Sequence, residues 1–227
     1  MNANQLVDHF ILSCSHDLRA PVSSIKGLVK VAEYFPHHDE IHKCFEKINE
    51  CTDKMDKLIH SLEEFMVTSH YTPVPTETDC EQFANDILEN FQEELVAKNI
   101  IVKKEVRVTK PWFIDRYTFS LLLKHLLSNA IAFQDNRKRK KCIAVKISTK
   151  KKFTLLEVSD NGMGIPTEFQ QKIFQPFYRA STESTGLGMG LFQVSKLVDK
   201  NGARLIFKSI ENAGSTFLVL IPNHIEL

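Results

Sequence analysis

The chain has 227 residues, 43% of them hydrophobic, with Lys+Arg 29 against Asp+Glu 28 and a net charge of +1. This supplies a core for one large domain or two modest ones and excludes a disordered chain. The balanced charge excludes a broad electrostatic footprint for nucleic acid or an anionic membrane, so any bound polyanion is small and held locally. Five cysteines (Cys14, Cys44, Cys51, Cys80, Cys142) have no CxxC spacing and read as reduced thiols in a cytosolic setting. No run approaches the roughly 18 apolar residues of a membrane span and no signal-peptide pattern is present. A cytoplasmic chain is expected, standing alone or as the cytosolic part of something longer and membrane-bound.

From Val7 the apolar positions Val7, Ile11, Cys14, Leu18, Val22, Ile25, Val29 and Ala32 recur at spacings of three and four, the seam of a long helix. At about 100° per residue they fall within roughly 40° of one direction, and His16 points about 160° away from it. His16 is predicted to be exposed. It stands in Ser15-His16-Asp17-Leu18-Arg19-Ala20-Pro21, where Pro21 cannot donate to the carbonyl of Asp17, so a bend is expected beside the histidine.

Phe35-Pro36-His37-His38-Asp39 interrupts the pattern; it reads as a loop with Asp39 as N-cap, and His37, His38 and His42 as solvated rather than metal-binding. A second helix is predicted from about Glu40 to Ser69, with a seam at Ile41, Phe45, Ile48, Thr52, Met55, Ile59, Leu62 and Met66 and a parallel row at Cys44, Cys51, Leu58 and Phe65. Two such helices cannot bury both stripes alone, so a homodimeric four-helix bundle is expected.

Tyr71 to Thr76 is proline-punctuated by Pro73 and Pro75 and marks a hinge or boundary. The expected division is a helical hairpin over 1–70, a linker over 71–78 and an α/β domain over 79–227. In that domain the pattern predicts one helix from Asp79 to Lys98, strands at 100–102 and 111–114, a helix from Tyr117 to about Asp135 and a strand pair at 143–148 and 153–158. A glycine-rich segment from Asn161 to Gly190 precedes a helix from about Leu191 to Lys200, and strands at 205–207 and 217–221 flank a turn at 212–214. The fold class is α+β: an antiparallel helical hairpin followed by an α/β sandwich. The basic run from Asn136 to Lys141 reads as a solvated loop, since no aromatics interleave it for nucleic-acid binding.

Four pieces of this domain make joint sense as a nucleotide site. Asp160-Asn161-Gly162-Met163-Gly164 follows an apolar strand, where a carboxylate can accept from an exocyclic amine such as that of adenine and glycines let backbone approach the base. Thr185-Gly186-Leu187-Gly188-Met189-Gly190 precedes a helix and can offer N–H groups to phosphates; its spacing is neither a P-loop nor a Rossmann turn. His125 and Asn129 lie four apart on a helix, and an Asn oxygen suits Mg²⁺ shared with phosphates. Phe174-Gln175-Pro176-Phe177-Tyr178-Arg179 supplies two aromatic anchors and an arginine able to reach a terminal phosphate, as part of a lid.

In order and spacing these segments resemble the catalytic core of a two-component sensor histidine kinase. His16 to Pro21 is similar to its H box, His125 to Asn129 to its N box, Asp160 to Gly164 to its G1 box, Phe174 to Phe177 to its F box and Gly186 to Gly190 to its G2 box. The resemblance implies a Bergerat-type ATP-binding domain, ATP and Mg²⁺ as cofactors, a homodimer, and a response-regulator receiver domain as partner, with no nucleic acid and no membrane contact within this chain. His16 would be the phosphoacceptor, Asp17 its base, and Arg179 the contact to the transferring phosphate. Asn129 would ligate Mg²⁺, Asp160 read adenine, and Gly186, Gly188 and Gly190 cradle the phosphates. His125, Gly162, Gly164, Phe174 and Phe177 would complete the nucleotide site.

Two positions depart from the family pattern. Ala132 stands where members often carry Lys or Arg near the phosphates, and Ala20 where strong phosphatases carry Thr or Asn to orient a water. Weak dephosphorylation of the partner is therefore expected. With only 15 residues before His16, the input is expected from a separate protein or from a longer parent chain. The alternatives are an ATPase of the topoisomerase or mismatch-repair kind, which lacks the H-box hairpin, and a degenerate kinase acting as a scaffold.

Overall fold

In a computed structural model of the chain, the structure describes residues 3–34, 38–108, 111–150, 152–179 and 188–223, with side chains described from Leu18 onward except that of His38. The chain divides into two compact units, 1–70 with 176–189, and 71–175 with 190–227.

The first unit is built on two helices, α1 (Ala3–Ala32) and α2 (His38–His70), which pack together as a hairpin. α1 runs unbroken through Pro21. α2 starts one residue before the expected cap, so Asp39 is a first-turn acid, favourable at the positive end of the helix rather than capping it. The predicted seam of α2 splits. Ile41, Ile48, Met55 and Leu62 are shielded with Cys44, Cys51, Leu58 and Phe65, whereas Phe45 (58% exposed), Ile59 (43%) and Met66 (62%) form, with exposed Thr52, a separate outward heptad row. Two shielded rows suffice to pack against one partner helix, and the third is surplus to it.

The second unit contains β1 (Thr76–Glu77), α3 (Cys80–Glu89), α4 (Gln92–Ala97), β2 (Ile100–Arg107), β3 (Phe113–Ile114), α5 (Arg116–Ala132), β4 (Lys141–Thr149), β5 (Phe153–Asp160), α6 (Gly190–Lys200), β6 (Arg204–Ile210) and β7 (Gly214–Pro222). The single helix expected over 79–98 is two. Asn90 turns its side chain onto the carbonyl of Asp86 (2.8 Å) and becomes the C-cap of α3, an alternative to helix that Asn readily takes.

The main sheet has the order β2-β4-β5-β7-β6, with β2 parallel to β4 and the other pairs antiparallel. Its alternation puts Ile143, Val145, Ile147, Leu156, Val158, Phe217, Val219 and Ile221 inward, while the opposite face carries polar groups such as the Lys146–Glu157 ion pair (2.9 Å). α5 crosses the covered face between the sheet, α3 and α6. It is therefore apolar around most of its circumference, with Phe119, Leu121, Leu122, Leu123, Leu126, Leu127 and Ile131 all buried.

Residues 71–78, expected as a linker, are tied into this unit. β1 pairs antiparallel with β3, and the N–H of Thr78 donates to the carbonyl of Trp112 (2.9 Å). Tyr71 Oη and the N–H of Val74 both donate to Asp115 Oδ2 (2.6 and 2.8 Å).

Candidate nucleotide-binding site

Burial on nearly every side fixes the rotation of α5, and that rotation decides where its polar residues look. His125 and Asn129, one turn apart, face Gly190 at the start of α6. A β-carbon on Gly190 would stand 3.6 Å from His125 Nδ1 and 3.9 Å from Asn129 Nδ2. Glycine here keeps the N-terminal N–H groups of an eleven-residue helix approachable beside the two side chains, at the positive end of the helix. Among the described residues the buried Asn129 Nδ2 has no hydrogen-bond partner, a state that costs about 1–3 kcal/mol unless a ligand satisfies it. The two ends of an amide exchange by rotation, so the same group can turn its oxygen to a cation.

The other cluster lies where β5 ends. Asp160 Oδ1 accepts from the N–H of Gly162 (2.8 Å). Burial pushes the Asp160 carboxyl above its usual range, opposed by the N–H groups of Gly162 and Ser215 and by the charge of Lys138.

The loop beyond Asp160 is fixed from two sides. Toward α5, a β-carbon on Gly162 would overlap the carbonyl oxygen of Phe133, which accepts from the N–H of Met163 (2.9 Å). Toward the β6–β7 turn, Gly164 adopts φ +66° and a β-carbon would overlap the carbonyl of Ile210. The N–H of Asn212 donates to the carbonyl of Met163 (2.6 Å), and the N–H of Ile165 to Ser209 Oγ (2.8 Å). Gly214, at φ +125°, leaves room for the carbonyl of Asp160, where a β-carbon would overlap it. Phe174 meets Phe207 edge-on with centroids 5.3 Å apart, and Phe207 stacks on Phe217 at 5.9 Å.

The first unit holds the remaining described residues of the set. Phe177 takes φ +62°, costly for a bulky side chain. Gly188 takes φ +69°, with its β-carbon position 2.6 Å from the carbonyl oxygen of Tyr178. Arg179 is exposed. Gly186 lies outside the described residues, as do the side chains of His16 and Asp17 on α1.

The structure thus brings His125, Asn129 and Gly190 together, and Asp160, Gly162 and Gly164 together; Phe177, Arg179 and Gly188 belong to the first unit. Sequence reading passed over Gly214, whose Asn-Ala-Gly turn is the only signal it gives. It passed over Arg137 and Lys138 as well. Among the described residues no group of three or more His, Cys, Asp or Glu can hold a metal, so a cation here would rest on Asn129, phosphate oxygens and water, a donor set suited to Mg²⁺.

One family model, for histidine kinase-, DNA gyrase B- and HSP90-like ATPases, matches residues 114–225. That match alone leaves open which kind of ATPase this is. A second model, for the His Kinase A (phospho-acceptor) domain, matches residues 7–66. The chain carries both domains of a sensor histidine kinase catalytic core. This kinase core is 27% identical over 225 residues to the methanogenesis regulatory histidine kinase FilI of Methanothrix harundinacea, covering 96% of this chain and 25% of that protein. It is 27% identical over 229 residues to the signal transduction histidine-protein kinase ArlS of Staphylococcus aureus, covering 93% of this chain and 48% of the relative. The chain spans about a quarter and about half of these relatives' lengths.

Solved structures share the fold. The histidine kinase AdeS of Acinetobacter baumannii superposes with a TM-score of 0.69 at 18% identity, over 92% of this chain and 98% of the other. The kinase ThkA, solved in complex with the response regulator protein TrrA, superposes with a TM-score of 0.73 at 20% identity, over 96% of this chain and 62% of the other.

Proposed function

We propose that the chain is a protein histidine kinase that phosphorylates its own His16 from ATP and hands the phosphoryl group to an aspartate of a response-regulator receiver domain. The observation that carries this is the cluster at the start of α6, where Gly190 backs onto His125 and Asn129 and the buried Asn129 Nδ2 has no partner among the described residues. A phospho-acceptor family match over 7–66 in the same chain supports the reading of His16 as the group to be phosphorylated.

Asp160 accepts a hydrogen bond from the adenine amine, with Gly162 and Gly164 seating the loop that follows it against the carbonyls of Phe133 and Ile210. Asn129 would hold Mg²⁺, which would neutralise charge on the triphosphate; His125 lies one turn from Asn129, and Gly186, Gly188 and Gly190 would offer N–H groups to the phosphates. Phe174 and Phe177 anchor the two ends of the Gln175-Pro176 segment, and Arg179 stabilises the charge that spreads over the transferring group. His16 supplies a ring-nitrogen lone pair to the γ-phosphorus as the bond to the bridging oxygen breaks and ADP departs, and Asp17 accepts the hydrogen bond that makes that nitrogen nucleophilic.

The hairpin over 1–70 acts as the dimerisation and phosphotransfer element and 79–227 as the ATP-binding domain. Residues 71–78 connect them and are bonded into the second unit. The outward row Phe45, Thr52, Ile59 and Met66 is the surface of α2 that a second copy covers in a four-helix bundle. No helix among the described residues is long and apolar enough to cross a membrane, and the cytoplasm is the compartment that supplies ATP and receiver domains.

The test is incubation with Mg²⁺ and γ-labelled ATP. Acid-labile, base-stable label on the protein, absent from His16→Ala, is expected; steady phosphate release without protein labelling would instead mark an ATPase, and absence of nucleotide binding a scaffold.

A further inference from the structure

The basic run 136–141 was expected to be a solvated loop; Arg137 is exposed as expected, its side chain 74% accessible, yet it is bonded on two sides, and Lys138 is half-buried. Arg137 donates from its backbone N–H (2.9 Å), Nε (2.9 Å) and an Nη2 (3.0 Å) to the carboxylate of Asp135, and the same Nη2 reaches Asn212 Oδ1 on the β6–β7 turn (2.7 Å). These bonds hold the Asp135 carboxyl down at about 2, so the brace stays charged at any ordinary pH. The next residue turns the other way. Lys138 Nζ donates to the carbonyl oxygens of Asn161 (2.5 Å) and Gly162 (3.0 Å), both in the loop that follows Asp160.

We propose that Lys138 is a positioning residue for adenine recognition, its ammonium clamping the peptide that orients the carboxylate of Asp160. The proposal rests on the nucleotide reading of the site given above. The carbonyl of Asn161 and the N–H of Gly162 belong to one peptide group, planar and trans, so they point in opposite directions from a rigid plate. Lys138 grips the oxygen of that plate and Asp160 Oδ1 accepts from its N–H.

Two consequences follow for Asp160. The plate cannot rotate without breaking a charge-assisted bond, and a cation on the oxygen polarises the peptide and strengthens the N–H as a donor to the carboxylate. The same cation favours the ionised carboxylate, the form that accepts from an amine without offering a competing proton. The strand neighbours bring no charge to bear: Asp160 is opposite Ile143 on β4, and β7 offers the N–H of Ser215. The charge of Lys138 acts on Asp160 in favour of its ionised form.

The experiment is calorimetric titration of Mg-ADP into the full chain and its Lys138→Met, Lys138→Arg and Asp160→Asn variants, from about pH 5.5 to about pH 8, with far-UV circular dichroism as the folding control. Lys138→Met is expected to weaken ADP binding about tenfold near neutrality, the loss of a hydrogen-bonded charge, and to move the acidic limb of binding to higher pH. Lys138→Arg is expected to restore both. Asp160→Asn is expected to lose more than Lys138→Met and to flatten the acidic limb. ADP affinity of Lys138→Met within twofold of wild type overturns the assignment, as does a loss that is uniform across pH and not relieved by arginine. A wild-type chain that fails to bind ADP overturns the nucleotide reading itself, and the assignment with it.

Discussion

Replacing Asp115 by alanine tests whether the segment after the helical hairpin is clamped or free. Asp115 is 4% exposed and serves two structures at once. Its Oδ1 accepts from the N–H of Thr118 (2.7 Å) as the N-cap of α5, and its Oδ2 accepts from Tyr71 Oη and the N–H of Val74. Loss of the cap costs about 1 kcal/mol. The two other bonds to a charged acceptor are half-buried and partly replaceable by water, so about 1 kcal/mol each is appropriate, at the low end for such bonds. A total of about 3 kcal/mol corresponds to a fall in Tm of about 6–12 °C for a domain of this size. Tyr71→Phe removes one bond and should cost about 1 kcal/mol, or roughly 2–4 °C.

The pH dependence has a definite sign at both ends. Burial alone would raise the Asp115 carboxyl, but the bonds from Thr118 and Tyr71 outweigh it and hold it below its usual value. Its contribution is therefore present above the unfolded value near about 4 and is lost as the pH falls through the lower folded one. Tyr71 is pushed up to about 12 by burial and by its bond to Asp115, so its contribution is complete below about 10 and disappears as the pH rises through the folded value. Thermal melts of wild type, Asp115→Ala and Tyr71→Phe, with limited proteolysis between His70 and Thr76, provide the assay. A melting temperature for Asp115→Ala within about 2 °C of wild type, or no gain in cleavage, would refute the clamp.

The proposed dimer surface is probed by Ile59→Glu, which puts a charge in the outward row of α2; burying it unpaired should weaken association by about a hundredfold or more, seen by light scattering at unchanged helical content. A dimer of wild-type affinity would remove that row from the interface. Ala20, exposed on α1, carries a methyl that cannot orient a hydrolytic water, so phosphatase activity toward a phosphorylated receiver should be weak and should rise in Ala20→Thr. Rapid dephosphorylation by the wild type, with nothing added by threonine, would contradict this.

The hairpin was legible because heptad repetition survives over some thirty residues, yet the division of labour among its rows was not. Phe45 and Ile48 carry the same apolar signal; only the position of α1 decides that Ile48 is shielded and Phe45 exposed. β2 was seen as three residues instead of eight because Lys103, Lys104 and Glu105 look like loop, whereas charged residues are a usual guard on an edge strand. Its parallel pairing with β4 joins segments forty residues apart, and no local pattern encodes that.

The same distinction separates the site residues that could be read from those that could not. Asp160, Asn129 and the glycines at 162, 164 and 190, proposed for the nucleotide site, each stand in a short, self-contained segment, so each leaves a recognisable string. Lys138, Arg137, Gly214 and Asp115 serve other parts of the chain. Their partners, Gly162, Asn212, Asp160 and Tyr71, lie tens of residues away, and a lysine that grips two carbonyls is spelled like a lysine in water. The unread residues are therefore the ones that hold the readable ones in place: Gly214 leaves room behind the carbonyl of Asp160, and the peptide after Asn161 is held from both sides, by Lys138 on its oxygen and by Asp160 on its N–H.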